Sequence, residues 1–455
     1  MSTTQKSRSP FRMSFFLGLA FLLAGAGSLS AQMGEGMGKM GAASGRPVMV
    51  LKAARMLDVE SGKMLTDAVV VVEGKTISAV NPDEIPEGAH VMDLGDVTLL
   101  PGFMDAHTHL TGQIGASTFT APVTQTLADA ALNAAKYARI TVRAGFTTVR
   151  DFGGDATVAL SKAVERGDIV GPHVVPSRNP LGITGGHCDV TGFAPGILER
   201  GPKDGVADGV DEVIKAVRYQ IKHGAKVIKT CATAGVLSME GPVGAQQYSF
   251  EELKAMVDEA RRHGIKVAAH AHGSDGIMAA VKAGVASIEH GSQLTDEIIE
   301  EMKARGTYLV PTTYLVDRIP LDALPPLVRK KAETILPQAR KSVQKAIKAG
   351  VKIAFGTDAA VYPHGENAGE FDIYVKMGMS PLEAIRTATL YDADLLDLPD
   401  RGVVKAGKLA DIIAVAGNPL EDISATHDVR FVMVAGRPVK HVMGGRDMHG
   451  MGGMD

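Results

Sequence analysis

"PGFMDAHTHL", Pro101 to Leu110, decides how this chain is read. An apolar run ends in two histidines one residue apart. Successive side chains of a strand point to opposite faces, so residues i and i+2 point the same way. His107 and His109 therefore aim both imidazoles at one place. Two nitrogen donors delivered to one point begin a metal site, and the question becomes whether the rest of the chain supplies partners.

Outward from that stretch, strand and helix alternate. Candidate strands end near His109, Asp151, Arg178, Lys229, His270, His290, Thr312 and Asp358. Helical stretches lie between them, such as "FEELKAMVDEARRHG" and "TDEIIEEMKARG", with apolar residues at helical spacing and a closing Gly. Eight βα units in roughly 250 to 300 residues have the size and rhythm of a (β/α)8 TIM barrel, placed at residues 101–400. A doubly wound sheet is the rival fold, but no GxGxxG follows the first strand.

On either side lie short β-branched or alternating runs. "VMVLKAARML", "DAVVVVEGKTISAV" and "HVMDLGDVTLL" occupy residues 47–100; "ADIIAVAGNPL" and "VRFVMVAGRPV" occupy residues 401–442. Each set is small for a sheet that stands alone. The two are expected to form one small β-sandwich built from both chain ends.

The bulk numbers exclude some functions. Of 455 residues, 45% are hydrophobic and 22% charged, an ordinary globular balance. A net charge of −3 provides no basic surface for nucleic acid, and the absence of Trp argues against base-stacking platforms. Lys6, Arg8 and Arg12 precede "MSFFLGLAFLLAGAGSLSAQ", the pattern of a secretory signal peptide over residues 1–31. Its removal takes away three positive and no negative charges, moving the net charge from −3 to −6. The expected location is secreted or periplasmic, with no stable membrane anchor after cleavage. Residues 32–46 read as a flexible Gly/Met-rich segment and 443–455 as a disordered Gly/Met/His-rich tail. Their thioethers suit Cu(I), but the expectation is plain linkers. Cys188 and Cys231 are either buried small residues or one bridge. Two free thiols are expected, because a bridge would constrain a loop that should close on substrate.

Barrel active sites sit at the C-terminal ends of the strands. There strand 1 provides His107 and His109, strand 4 ("AKVIKTCATAG") Lys229, strand 5 ("KVAAHAHG") His270 and His272, strand 6 ("ASIEHGS") His290, and strand 8 ("KIAFGTDAA") Asp358. Imidazole and carboxylate are the usual ligands of zinc-like divalent ions. The lysine is the odd member: burial beside cations lowers its pKa, and a neutral amine can take up carbon dioxide as a carbamate whose two oxygens can bridge two metals. His272 lies just past the strand end, in a supporting or loop position.

The stretches "LLPGFMDAHTH", "GFTTVRDFGG", "ITGGH", "VIKTCATAGV", "VAAHAHG", "SIEHG", "GTDA", "SPLEAIRTATLYDADLL" and "GKLADIIAVAGNPL" together resemble the amidohydrolase superfamily, in its imidazolonepropionase-like, Xaa-Pro dipeptidase branch. The resemblance spans nearly all of residues 47–442. It implies His107 and His109 on one divalent metal ion, His270 and His290 on a second, carboxylated Lys229 (a carbon dioxide carbamate) between them, and Asp358 as ligand and catalytic acid–base. Zinc is the expected metal, and attack by a bridging hydroxide the implied reaction. One-metal deaminases of the superfamily carry a Glu shortly after the strand-5 His; "HAHGSDG" has none.

Substrate contacts are expected from loops. In relatives the "TGGH" His and the "YS" Tyr face the substrate, which points to His187 and Tyr248; Arg178 and His364 are further candidates for holding a carboxylate. The expected function is an exported binuclear-metal amidohydrolase of small peptides or amides, most simply a dipeptidase or carboxypeptidase of Xaa-Pro or Xaa–amino-acid type, acting as a homo-oligomer. The alternatives are hydrolysis of a cyclic amide, lactone or N-acyl amino acid or xenobiotic amide and, more distantly, a non-enzymatic metal-binding export protein.

Overall fold

The structure is a computed structural model that describes residues 48–115, 117–319, 321–443 and 446–447. The expectations for the signal peptide, the segment 32–46 and nearly all of the tail fall outside the described residues. Five strands come first: β1 (Val48–Asp58), β2 (Lys63–Glu73), β3 (Thr76–Val80), β4 (His90–Asp93) and β5 (Val97–Pro101). Seven barrel strands follow: β6 (Phe103–Thr108), β7 (Phe146–Asp151), β8 (His173–Pro176), β9 (Ile228–Cys231), β10 (Val267–Ala271), β11 (Ser287–His290) and β12 (Tyr308–Val310). The last four are β13 (Ile412–Ala416), β14 (Val429–Val434), β15 (Arg437–Met443) and β16 (Arg446–Asp447).

The barrel closes through single pairings. β6–β7–β8 and β9–β10–β11–β12 are two parallel sheets. Leu181, beyond β8, pairs with Thr230 of β9, Leu309 of β12 with Ile353, and Thr108 of β6 with Ala359. The segment from Ile353 to Ala359 thus fills the eighth position. Backbone bonds from Ala106 N–H to the Phe355 carbonyl (2.8 Å) and from Asp358 N–H to the His107 carbonyl (2.8 Å) hold it against β6. Phe103, Phe146, Phe355 and Phe371 pack ring against ring at 4.5–5.6 Å. Phe103 and Phe146 open their strands, so this plug fills the end of the barrel opposite His107.

The two chain ends meet as expected. β13 pairs antiparallel with β5, Leu99 opposite Ala414, and one nine-stranded sheet results. Its period-2 pattern serves two cores. Leu51, Val70, Leu99, Ile412 and Phe431 fill its own interior, while Leu57, Leu100, Ile413 and Val432 face the barrel. The sandwich is this single sheet folded over. β1 pairs β4 along its first half and β5 along its second, and the β2–β3 and β14–β15 hairpins touch. A Cβ on Gly436 (φ +75°) would lie 1.9 Å from the Gly74 carbonyl oxygen, so the contact requires glycine.

Outside the barrel, helix Phe250–Arg262 begins at Ser249, whose hydroxyl accepts from the Glu252 N–H while the Glu252 carboxylate accepts from the Ser249 N–H. Leu253, Met256, Val257 and Ala260 form its buried stripe. No helix among the described residues is long and apolar enough to cross a membrane.

Candidate active site

The strand ends bring the expected donors together. His107 Nε2 lies 3.5 Å from Lys229 Nζ and 3.5 Å from Asp358 Oδ1, and His109 Nε2 lies 3.1 Å from the same carboxylate oxygen. One ligand atom each from His107, His290 and Asp358 fall within 4.8 Å of one another; so do those of His270, His272 and His290. His272 therefore joins the donor cluster rather than a distant loop.

Hydrogen bonds fix which nitrogen each ring turns inward. The Nδ1 atoms of His107, His290 and His272 sit 2.7, 2.8 and 2.7 Å from Glu289, Thr312 and Ser292. Nε2 is left facing the cluster, the usual arrangement of metal-binding imidazoles. Burial, with Lys229 adding to it, pulls His107 down to about 4; burial also carries His270 and His290 well below the ordinary range. All three are neutral, with lone pairs available. His270 Nε2 is buried and has no hydrogen-bond partner among the described residues. An orphaned polar atom of that kind costs about 1–3 kcal/mol, a cost that coordination removes. The nitrogen and oxygen donor set fits zinc-class divalent ions.

Lys229 and Asp358 are tuned in opposite senses. Burial lowers the lysine to about 8, against the pull of Glu289 and Asp358 and with help from Arg150, so a neutral fraction of the amine exists near pH 7. Burial would raise Asp358, but His107, His109 and His290 together hold it far below the carboxylate range, so it is ionised.

Beneath the donors lies a layer that the sequence reading missed. The Glu289 carboxylate accepts from His107 Nδ1 at 2.7 Å, from Arg150 Nη2 at 2.8 Å and from Ser287 Oγ at 2.5 Å. Glu289 and Arg150 are almost completely buried. Burial alone would raise Glu289; Arg150 and the His107 bond hold it at about 2. A signal was present: "FTTVRD" carries Arg150 and Asp151, and "SIEH" carries Glu289, inside strands that are buried throughout, and buried charges are seldom unpaired. Strict alternation hides Glu289, since it precedes His290. The backbone resolves this. Glu289 pairs with His270 across the sheet and shares its inward face, and His290 takes a left-handed φ of +72°, which turns its side chain inward as well.

A cavity of about 480 Å³ opens above the donors. Val236, Leu237, Leu315, Ile319, Leu336 and Val361 line its far wall, drawn from the loops after β9, β12 and the eighth position and from helix Pro326–Lys348. Among the described lining residues, Lys229 and Asp358 are the charged ones. Of the four expected substrate contacts, His187 alone among the described residues reaches the cavity, its ring 4.2 Å from that of His270. The other three turn their polar atoms to protein partners. Tyr248 is fully buried and donates to the Ala207 carbonyl at 3.1 Å. Arg178 pairs with Asp155 at 2.5 Å and Gln220 at 3.0 Å. His364 Nε2 lies 2.9 Å from the Gly112 carbonyl oxygen, with the ring stacked on Tyr137.

The expectation of two free thiols is corrected: Cys188 and Cys231 form a disulfide. The pairing of Leu181 with Thr230 runs the loop after β8 along β9. That brings the two Cα atoms to 5.8 Å, within the normal span of a disulfide. The loop carrying His187 is anchored to the barrel wall, two residues from Lys229, rather than left free to close.

Comparison with known proteins agrees with this geometry. Residues 98–439 match the family model described as "Amidohydrolase family". Ochratoxinase of Aspergillus niger is 36% identical over 401 residues, 82% of this chain and 82% of the relative. Imidazolonepropionase of Pyrobaculum arsenaticum is 24% identical, covering 77% of this chain and 86% of its own. Among solved structures, a Xaa-Pro dipeptidase with bound methionine in its active site superposes with a TM-score of 0.82 at 38% identity, covering 86% of this chain and 99% of that one. A prolidase complexed with N-methylphosphonate-L-proline gives 0.80 at 34% identity, covering 87% and 100%. Nearly the whole described chain is matched, and it belongs to the amidohydrolase family, hydrolases acting on amide and peptide C–N bonds.

Proposed function

We propose that this protein is a binuclear-metal hydrolase that cleaves the amide bond between a bulky apolar acyl group and an amino acid. The observation that carries the reading is the division of the cavity: clustered donors on one side, an aliphatic wall on the other, and no described charged lining residue beyond Lys229 and Asp358. An apolar acyl group of drug-like size fits about 480 Å³. A free α-ammonium would find Asp358 alone, already engaged with His109. A second reading, a dipeptidase for Xaa-Pro with an apolar Xaa, is supported by the similarity to the methionine-bound Xaa-Pro dipeptidase.

His107, His109, His270, His290, Asp358 and Lys229, the last as its carbamate, would hold two divalent ions, zinc first among them. Bound there, the ions would supply Lewis acidity at the scissile carbonyl and lower the pKa of a bound water toward neutral. Asp358, ionised beside His109, would accept a proton at its carboxylate from the attacking water and return it to the leaving amine. Glu289 keeps His107 oriented, and the aliphatic wall keeps bulk water from the acyl side. Export is part of the proposal, and the Cys188–Cys231 disulfide supports an oxidising compartment.

The test combines metal content with turnover of N-acyl amino acids, apolar and polar Xaa-Pro dipeptides and Xaa-Arg dipeptides. About two metal ions per chain and a preference for apolar acyl groups are expected. Equal or better turnover of dipeptides with charged N-terminal side chains would refute the assignment of the wall.

A further inference from the structure

Outside the metal donors, the loop after β9 carries a buried acid with no assigned work. Glu240 Oε1 accepts from the Ser238 hydroxyl at 2.5 Å and from the Gly235 N–H at 3.0 Å, and lies 3.3 Å from His187 Nδ1. Ser238 Oγ is 2.6 Å from that same Nδ1. Burial would raise Glu240, but His187, Ser238 and the Gly235 N–H outweigh it and hold the acid at about 2, so it is ionised and only accepts. The serine proton therefore goes to Glu240, and the serine lone pair is left for an N–H on His187 Nδ1. Nε2 is the nitrogen that remains, on a ring that lines the cavity.

The ring is also wedged in place. It packs 4.2 Å from His270 on one side and against the Gly235 backbone on the other, where an added Cβ would come 2.1 Å from Cε1. Lys331, on helix Pro326–Lys348, ties the loop down: its ammonium donates to the carbonyls of Glu240, Ser238 and Gly235 at 2.6, 3.1 and 3.3 Å.

We propose that Glu240 is a positioning residue, which through Ser238 fixes the ring and the Nδ1–H tautomer of His187 and so presents Nε2 to the polar end of the substrate beside His270. The proposal rests on the reading of the cavity as an amide-substrate site. A carboxylate behind an imidazole is the usual device for setting its tautomer, and removing such a partner costs about 10–100-fold in function.

A double-mutant cycle separates positioning from loop stability. Glu240→Gln keeps the size of the side chain and an acceptor for the Gly235 N–H. We expect it to lower kcat/KM about 10-fold on the best amide of the panel, with metal content unchanged, and to have no further effect in the His187→Ala background. Ser238→Ala should behave the same way. Additive losses in the double variant would overturn the proposal. Proton NMR of the unliganded protein is read independently of turnover: a low-field Nδ1–H resonance absent from His187→Ala should shift in Glu240→Gln, and an unshifted resonance refutes the link. If no amide is turned over, the functional reading fails while the NMR result still decides the positioning role.

Discussion

Replacing Glu289 by Gln tests the layer beneath the clustered imidazole and carboxylate donors. The substitution keeps the volume but removes the charge that Arg150 faces at 2.8 Å, and its amide brings a donor to a place where three groups already donate. Arg150 cannot relax into water: it is 1% exposed, with Nε bonded to the Ala106 carbonyl at 2.6 Å and Nη1 to Ser287 at 3.1 Å. Stranding one charge of a buried pair costs about 3–5 kcal/mol. The held-down acid agrees in scale: a shift from 4.5 to about 2 corresponds to about 3 kcal/mol of interaction with the ionised form. His107 meanwhile loses the charged acceptor at Nδ1, and loss of such a partner weakens metal binding about 10–100-fold. Urea unfolding measures the first effect, and titration against a metal buffer the second. The double variant Glu289→Gln with Arg150→Met separates them. Removing the stranded charge should recover most of the stability and none of the metal affinity. If Glu289→Gln binds metal as tightly as the parent, or if the double variant regains affinity along with stability, the assignment of Glu289 to His107 is wrong.

Four other outcomes are expected. Lys229→Ala should lose metal and activity together, with partial rescue by short carboxylic acids; a variant that keeps two metals and full turnover contradicts the bridging role. Asp358→Asn should lower kcat by at least about 100-fold, the ordinary scale of an acid–base group, and a smaller loss would move the proton transfer elsewhere. Thiol titration of the unfolded, unreduced protein should find no free thiol, and changing both Cys188 and Cys231 to Ser should cost about 2–4 kcal/mol, as expected for opening a covalently closed loop of 43 residues. Glu259, which bridges Arg218, Arg262 and His263 across two helices, is held at about 2 by Arg218 first, against burial. Its folded value lies below its ordinary 4.5, so its contribution is present above pH 4.5 and is lost as pH falls toward 2. Because the arginines are largely exposed, the loss between pH 5 and pH 3 should be about 1 kcal/mol, absent from Glu259→Gln and readable as a flatter curve of unfolding free energy against pH.

What the sequence made legible follows from periodicity. His107 and His109 obey the two-residue repeat of a strand, and Lys229 and His270 end apolar runs that occur at barrel spacing. The split sheet was legible for the same reason: Leu99 and Leu100 serve opposite faces, and so do Ile412 and Ile413. What escaped depends on contacts between distant segments. The Cys188–Cys231 bridge needs the register of the loop after β8 against β9, which no local pattern encodes. Arg178 and His364 look like free cations until Asp155, Gln220 and Gly112 are seen beside them. Tyr248 stands next to a helix cap, and its hydroxyl is spent on Ala207, a residue far away in the chain.

The hidden layer under the donor cluster has a backbone cause. His290, Thr312 and Asp358 close three successive positions of the barrel, and all have positive φ, +72°, +51° and +58°. Such conformations cost non-glycine residues about 1–3 kcal/mol each and persist where surrounding contacts fix them. Here the fixing contacts are those of the site. His290 Nδ1 meets the Thr312 hydroxyl at 2.8 Å, and the Asp358 N–H donates to the carbonyl of His107. A regular strand offers every second residue to the barrel interior. A left-handed turn at its last residue offers two in a row, so that Glu289 supports His107 from below while His290 stands among the donors above. Straightening that turn would keep one of the two groups and lose the other. The strain is thus the means by which one short strand provides both an imidazole of the donor cluster and the acid that orients another.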